Sequence, residues 1–113
     1  MRKDDLVRLR HMMDAAREAL SFSSGKSRID LNSDRMLVLS LVKDIEIIGE
    51  GAGKVSQETK QMSEKIPWQD ITDMRNHLIH AYFDVDLDIV WDTIMSDLPP
   101  LVEALEKIIL PAE

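Results

Sequence analysis

Apolar residues recur at intervals of three and four along most of the chain, the spacing of helices that bury one face. Residues 4–22 carry this pattern first, and the segment 21–26, which is polar and contains a glycine, predicts the helix end and a loop. Asn32 or Ser33 can cap a second helix that runs to Ile48. The second helix is apolar nearly all round, so we expect it to pack inside a bundle and also to contribute to a dimer.

Three glycines, Gly49, Gly51 and Gly53, follow at alternate positions. Glycine costs roughly 1 kcal/mol relative to alanine inside a helix, so either the helix ends here or another backbone approaches closely. A phosphate-binding loop does not fit, because the run up to Lys54 is one residue too short for the P-loop spacing and no predicted strand precedes it.

Apolar residues keep the helical spacing of three and four in the second half of the chain. Residues 56–66 are polar and predict a short helix or a loop, and Pro67 suits the first turn of a helix whose apolar positions extend to Tyr82. Asp86 can cap a further helix, and the proline pair at 99–100 predicts a kink or a fresh start before the last one. We find no strand alternation, so the pattern predicts an all-α, antiparallel bundle of about four main helices.

Length and composition limit the classes of protein to which this chain can belong. At 113 residues we expect one domain, 1–113, with a core that dimerisation would usefully enlarge. The chain has no cysteine, which excludes disulfides and thiolate metal sites and fits a cytoplasmic protein. No apolar run approaches the roughly 18 residues that span a bilayer, and the first residues do not resemble a signal peptide. We therefore expect no membrane association.

The net charge of −7 disfavours general nucleic-acid binding. The charge is uneven, because the first 60 residues hold 11 basic and 10 acidic side chains whereas residues 61–113 hold 3 and 11. Arg75 is the only Lys or Arg between Lys65 and Lys107, so a polyanion bound there needs further cations. We expect them from the first helix of this subunit or a second one, which carries Arg2, Lys3, Arg8, Arg10 and Arg17.

The side chains best suited to catalysis lie close together in residues 75–82, Arg-Asn-His-Leu-Ile-His-Ala-Tyr. Arginine offers a planar fork of donors that suits phosphate oxygens, and histidine exchanges protons near neutral pH. On a straight helix Arg75 and His80 lie about 140° apart. They can act together only if the helix end distorts or Arg75 wraps back, or if the helix packs beside its own copy across a two-fold axis.

A cleft with two such arginines and two such histidines could cleave RNA without a metal, through attack of the 2′-hydroxyl. Other interpretations stay open. Arg75 could simply pair with a nearby aspartate on the surface, and a helical histidine is more often structural than catalytic. His77 and His80 could share a metal, but no third ligand is evident, so we expect neither a metal nor a cofactor.

Several segments together resemble the HepT-like proteins of the HEPN superfamily, the ribonuclease toxins of bacterial and archaeal toxin–antitoxin pairs. The resemblance covers nearly the whole chain, and residues 75–82 fit the R-x-x-x-x-H-x-Y signature of that family in full. The other matching segments are Ile45–Glu50, Ile66–Trp68, Val90-Trp91 and Asp97–Pro99. One departure is Gly51, where similar proteins often carry alanine, and this glycine would loosen the second helix locally.

The resemblance implies a dimer with Arg75 and His80 in a cleft between subunits, where they serve metal-independent RNA cleavage and Asn76 helps to shape the site. It also implies a partner, a small nucleotidyltransferase antitoxin of the MntA type, which transfers AMP from ATP onto Tyr82. The added phosphate would place negative charge where RNA must lie. The acidic second half would suit a shaped RNA such as tRNA.

The sequence therefore predicts a dimeric ribonuclease toxin of a type VII toxin–antitoxin system, neutralised by AMP transfer to Tyr82. A second hypothesis is a non-catalytic subunit that binds a nucleotide or docks a nucleotidyltransferase, with Arg75 only pairing with phosphate. A third is a helical interaction module without either activity.

Overall fold

The computed structural model describes residues 1–81 and 84–112, without the side chains at positions 75, 79–81 and 112. The described chain is predominantly helical, as the sequence predicts, and its four longest helices are α1, α2, α4 and α6. In chain order the elements are α1 (Lys3–Ser23), a 3₁₀ helix (Arg28–Asn32), α2 (Arg35–Lys54), α3 (Gln57–Gln61), α4 (Trp68–Leu78), β1 (Ile79–Ala81), β2 (Asp84–Val85), α5 (Leu87–Asp92), a π turn (Thr93–Asp97) and α6 (Leu98–Ala112).

Helix α2 lies at the centre of the fold, packed against α1 on one side and α4 on the other, and α1 also packs against α6. This position explains why α2 is apolar nearly all round, because it buries two faces. The largest fully buried side chains come from all four long helices and from the α5–π segment; they include Leu9, Met12, Leu41, Ile45, Ile48, Leu78, Ile94, Leu98, Leu105 and Ile109.

The first turn of α1 fixes the junction between α2 and α3. The buried carboxylate of Asp5 accepts hydrogen bonds from the backbone N–H of Ser56 at 3.0 Å and from the hydroxyl of Thr59 at 2.8 Å. Burial alone would raise the pKa of Asp5, but the hydrogen bonds from the hydroxyl and the N–H of Ser56 and from Thr59, together with the charge of Arg2, hold the pKa below its usual value. Arg8 donates to the carbonyl of Lys54, the last residue of α2, at 3.2 Å.

The start of α2 differs by one or two residues from the prediction. Asp34 is the N-cap, because its side chain accepts from the backbone N–H of Leu37 at 3.0 Å, whereas Asn32 ends the preceding 3₁₀ helix. The helix does not end near Ile48 but continues through all three glycines to Lys54. Of the two explanations left open, the end of the helix is wrong, and close approach of another backbone holds at Gly49, where an added Cβ would lie 3.2 Å from the carbonyl oxygen of Ile71.

Gly51 is a position where α1 comes very close to α2. A Cβ added there would lie 2.6 Å from Cγ of Met12, which is fully buried, and 3.2 Å from its sulfur. Gly51 therefore serves packing, and α2 continues through it. At Gly53 an added Cβ would meet only the Thr72 side chain, at 3.5 Å, which is an ordinary contact.

We predict opposite effects of the same substitution at these two glycines. Gly51→Ala should lower the free energy of unfolding by about 1–3 kcal/mol, because the methyl group overpacks a filled interface. Gly53→Ala should leave it unchanged or raise it by up to about 1 kcal/mol through helix propensity. Urea unfolding of both variants beside the wild type measures this. Equal effects would contradict the packing role of Gly51.

The proline pair lies in the first turn of α6, and no break separates this helix from the helical residues before it. Residues 87–112 stay helical, because the π turn joins α5 to α6 and the N–H of Leu98 donates to the carbonyl of Thr93, five residues back. Proline lacks an N–H, and its ring clashes with the carbonyl four residues earlier. The wider π turn directly before Pro99 accommodates both effects without ending the helix.

Among the helices that the structure describes, none combines the length and the apolar character needed to cross a membrane.

Candidate active site

Helix α4 carries the first part of the 75–82 segment and is fixed at its start by backbone groups. The carbonyl of Pro67 accepts from the N–H of Ile71 at 3.0 Å, and the indole N–H of Trp68 donates to the carbonyl of Ser63 at 3.1 Å. Trp68, Ile71 and Leu78 are buried along one stripe of the helix. The orientation of α4 about its own axis is therefore set by its apolar face.

Helices α2 and α4 approach closely about one turn before Arg75. A Cβ added at Gly49 would lie 3.2 Å from the carbonyl oxygen of Ile71 and 3.7 Å from that of Thr72. These are backbone atoms, so the glycine lets the two helix backbones come together. The backbone of α4 near Arg75 is thus held against the centre of the fold.

The segment changes its structure between Arg75 and His80. We predicted a helix with apolar positions as far as Tyr82, and this prediction is wrong from Ile79 to Ala81, because α4 ends at Leu78 and β1 pairs with β2 in an antiparallel ladder. Helical spacing and a short apolar strand cannot be told apart over so few residues, and Ile79 and Val85 are β-branched residues that favour strands. The return of the chain is closed by a hydrogen bond from the N–H of Asp86 to the carbonyl of Leu78 at 2.6 Å.

His80 occupies an irregular place in this ladder. Ile79 pairs with Val85 and Ala81 pairs with Asp84, so β1 has one more residue than β2 between the two pairs, and that residue is His80. A β-bulge of this kind re-aims one residue of a strand and is common beside active sites. Arg75, in the last turn of α4, and His80 therefore lie on different elements, and the angle of 140° on a straight helix does not apply.

The four predicted site residues are described to different extents. Asn76 is exposed, as is its neighbour His77. The backbone of Arg75 belongs to α4 and that of His80 to β1, but their side chains lie outside the described part. Tyr82 lies outside the described residues altogether. Their proposed roles thus remain predictions.

Two of the aspartates near the segment already have partners. Asp73 accepts from the side-chain amide of Gln69 at 3.0 Å. Asp86 caps α5 as predicted, with its carboxylate accepting from the N–H of Ile89 at 3.1 Å. Because these contacts occupy part of each carboxylate, an ion pair with Arg75 is not needed to satisfy either group.

The cations that we expected from the first helix are partly engaged within the chain. Arg8 binds the carbonyl of Lys54, and Arg17 forms an ion pair with Glu106 of α6. Sequence reasoning did not single out Arg35, an exposed residue in the first turn of α2. Arg35 lines a cavity of about 300 Å³ together with Asp84 and Val85 of β2, the strand that pairs with the one holding His80.

Residues 1–81 and 84–112, as far as their side chains are described, contain no group of three or more His, Asp and Glu side chains that could hold a metal ion.

The most perturbed carboxyl group of the described chain lies between α1 and α2. Asp44 is 1% exposed, and its Oδ2 has no hydrogen-bond partner among the described residues. Burial, together with a hydrogen bond to Glu18 and the charge of Glu18, raises the pKa of Asp44 to about 7. Asp44 lines a cavity of about 440 Å³ with His11, Asp14 and Glu18.

This raised pKa makes stability depend on pH. The unfolded chain releases the proton of Asp44 near the ordinary aspartate pKa of 3.8, whereas the folded chain holds it up to about pH 7. The stabilising contribution is therefore full below the lower value and is lost as the pH rises to the higher one. An asparagine at this position needs no proton. We expect the advantage of Asp44→Asn over the wild type to grow by about 2 kcal/mol between pH 5 and pH 8.

Urea unfolding at the two pH values measures this difference. Asp14→Asn is the matched control, because Asp14 lines the same cavity but is exposed. A pH-independent effect of Asp44→Asn would show that Asp44 is already ionised at pH 5.

The chain is similar in sequence to proteins of a known family. The family model described as "Ribonuclease HepT-like" matches residues 12–108. A protein of Caldanaerobacter subterraneus subsp. tengcongensis named "Putative RNase" is 33% identical over 101 residues, which is 89% of this chain and 90% of the relative. A protein of Thermococcus cleftensis named "Probable ribonuclease HepT" is 35% identical over 79 residues, 70% of this chain and 72% of the relative.

A third relative, from Methanocaldococcus jannaschii, is named "Gamma-glutamylcyclotransferase and putative RNase" and is 32% identical over 108 residues, or 96% of this chain. The chain spans about half of that relative, 49% of its length. No solved structure matches the chain. Because the family model spans nearly the whole sequence and relatives more than 30% identical are covered over most of their length, the chain belongs to the HepT-like ribonuclease family.

Proposed function

We propose that this chain is a metal-independent endoribonuclease and the toxin of a type VII toxin–antitoxin pair, with Arg75 and His80 as its catalytic residues. The observation that carries the proposal is that the complete Arg75–His80–Tyr82 signature lies within the residues matched by the family model. The ribonuclease names of the relatives support the same activity. The change from α4 to a bulged strand between Arg75 and His80 is compatible with two groups that converge from different elements.

The proposed reaction is an internal transfer at phosphorus. A neutral His80 accepts the proton of the 2′-hydroxyl, the 2′-oxygen forms a bond to phosphorus, and the bond from phosphorus to the 5′-oxygen breaks. A protonated His80 of a second subunit donates its proton to the leaving 5′-oxygen. The products are a 2′,3′-cyclic phosphate and a 5′-hydroxyl end. Arg75 stabilises the extra negative charge on the phosphoryl oxygens in the transition state, and Asn76 helps to position the backbone beside it.

The proposed dimer would bring two copies of the signature to one cleft. Support comes from α2, whose Met36 is 82% exposed although the apolar residues of this helix that face α1 and α4 are buried. Large exposed apolar side chains on a central helix are typical of a surface that a partner covers. A second copy of this chain is the proposed partner.

The proposed control of the toxin is covalent. A nucleotidyltransferase antitoxin of the MntA type would transfer AMP from ATP to the hydroxyl of Tyr82, releasing pyrophosphate. The new phosphodiester carries a negative charge two residues from His80, so it would repel the RNA phosphate that must bind there. The substrate would be a shaped RNA such as tRNA, because the acidic second half of the chain gives little attraction for RNA in general.

The test is incubation of total cellular RNA, in EDTA, with protein purified without its partner and shown by mass spectrometry to be unmodified at Tyr82. Discrete fragments with 5′-hydroxyl ends are the expected result. If this protein leaves every RNA intact but binds a nucleotide in calorimetry, the chain is a non-catalytic nucleotide-binding or docking subunit and the proposal is wrong.

A further inference from the structure

A cavity of about 300 Å³ lies between the start of α2 and strand β2 of the hairpin. Both apolar and polar residues line it. The apolar residues are Leu31, Val38, Leu39, Val85 and Leu87, and the polar ones are Asn32, Ser33, Arg35 and Asp84. Apolar side chains combined with a few polar groups are typical of sites for small ligands, and this volume is at the small end of such sites.

Arg35 supplies a positive charge among the residues that line this cavity. It is exposed, and no described residue forms a hydrogen bond or an ion pair with its guanidinium group. The nearby Arg28 differs, because it is held by Asp88 at 2.7 Å and by Asn32 at 2.9 Å. Only Arg35 of this pair can therefore offer a whole guanidinium fork to a phosphate.

The cavity adjoins the proposed catalytic hairpin. Asp84 and Val85, which line it, are the ladder partners of Ala81 and Ile79, and those two residues flank His80. Adjacent strands of a ladder lie about 4.8 Å apart, so β2 separates the cavity from the strand of His80 by one strand width. An RNA strand cut beside His80 would have a neighbouring nucleotide within reach of this cavity.

We propose that the cavity receives one unstacked nucleotide of the RNA substrate next to the cut, with Arg35 bound to its phosphate. This inference rests on the proposed ribonuclease function. The apolar lining residues would contact the face of the base, and Asp84, Asn32 and Ser33, which also line the cavity, offer polar groups to its edge. Sequence-selective proteins read RNA in this way, with single bases turned out of the stack.

Charge sets the orientation of the nucleotide. Asp84, on the hairpin side, repels phosphate and accepts hydrogen bonds from amino groups of a base, whereas Arg35, on the α2 side, attracts phosphate. The phosphate therefore lies towards α2 and the base towards β2. The site adds a cation to a region in which Arg75 is otherwise alone along the sequence.

The first experiment measures cleavage kinetics of a short RNA that contains the mapped cut site. Arg35→Glu should raise KM about tenfold or more with kcat little changed, because it removes a charged contact made equally to substrate and transition state. It should also lower the slope of log affinity against log salt by about one. Arg35→Lys should recover much of the affinity. Lys107→Glu is the matched control, the same kind of charge reversal at an exposed lysine of α6 away from the cavity, and should change KM little.

The second experiment changes the RNA and leaves the protein intact. Substrates with an abasic nucleotide at each position near the cut should include one whose KM rises several-fold with the wild-type protein. If the wild type cleaves RNA but Arg35→Glu and Lys107→Glu behave alike, or no abasic position raises KM, the inference is wrong while the proposed function stands. If Arg35→Glu instead changes the molar mass in light scattering, the cavity is an interface between copies of this chain, which also overturns the inference.

Discussion

Replacing His80 by alanine is expected to abolish RNA cleavage, lowering kcat by about 10²- to 10⁴-fold or more. The loss is at the upper end if two copies of His80 act in one cleft, because the substitution then removes the base and the acid together. Loss of the phosphate contact in Arg75→Ala should be comparably severe, and Arg75→Lys should stay impaired because it keeps the charge but not the planar fork. The measurement is single-turnover cleavage of the mapped RNA in EDTA.

The chain offers a matched control for this experiment. His77 is an exposed residue of α4 that lies three residues before His80, within the same segment. His77→Ala should therefore retain cleavage and fold like the wild type, as judged by circular dichroism. Full activity of His80→Ala would refute the proposed site, and equal losses for both histidines would point to a structural cause.

Incubation with the cognate nucleotidyltransferase and ATP is expected to add an adenylyl group to Tyr82 and to stop RNA cleavage. The group brings a negative charge and a bulky nucleoside close to His80 in sequence, so RNA binding should fail rather than the chemistry alone. The sequence makes the readout simple, since Tyr82 is the only tyrosine among the 113 residues. A mass increase of one adenylyl group on intact protein, absent in Tyr82→Phe, assigns the site directly.

Loss of RNA cleavage must accompany the modification for this control mechanism to hold. Tyr82→Phe should cleave RNA, remain unmodified, and stay toxic in cells that also contain the partner. If the partner protects cells from Tyr82→Phe as well as from the wild type, neutralisation works by binding alone. Modified protein that still cleaves RNA at the wild-type rate would contradict the blocking role of AMP.

The sequence alone predicted the parts of the fold that depend on local chemistry. The helical period identified α1 and α2, and Asp86 was recognised as a cap because its side chain needs only the N–H groups of its own helix turn. The hairpin was missed, because the end of α4 is completed by a hydrogen bond from Asp86 to Leu78 across a chain reversal. Two strands of three and two residues are also too short to show alternation.

The packing role of Gly51 could not be predicted from the adjacent residues in the sequence either, because the atom that excludes a side chain there belongs to Met12 of another helix. The candidate site was likewise predicted only in part from the sequence. Residue types and spacing identified Arg75 and His80 as a pair, but they gave the wrong secondary structure between them. Arg35 was overlooked because its position beside β2 depends on packing between elements about 50 residues apart in the sequence.

Because α4 ends at Leu78, the segment from Arg75 to His80 combines two backbone geometries, a helical one and an extended one. Up to Leu78 each residue turns the chain by about 100° and advances it by about 1.5 Å, whereas beyond it each residue advances the chain by about 3.3 Å and alternates sides. The extra residue of the ladder is His80 itself. A deletion that restored a regular ladder would therefore remove the position of the proposed base, so the irregularity of the strand and the chemistry of the site would be lost in one step.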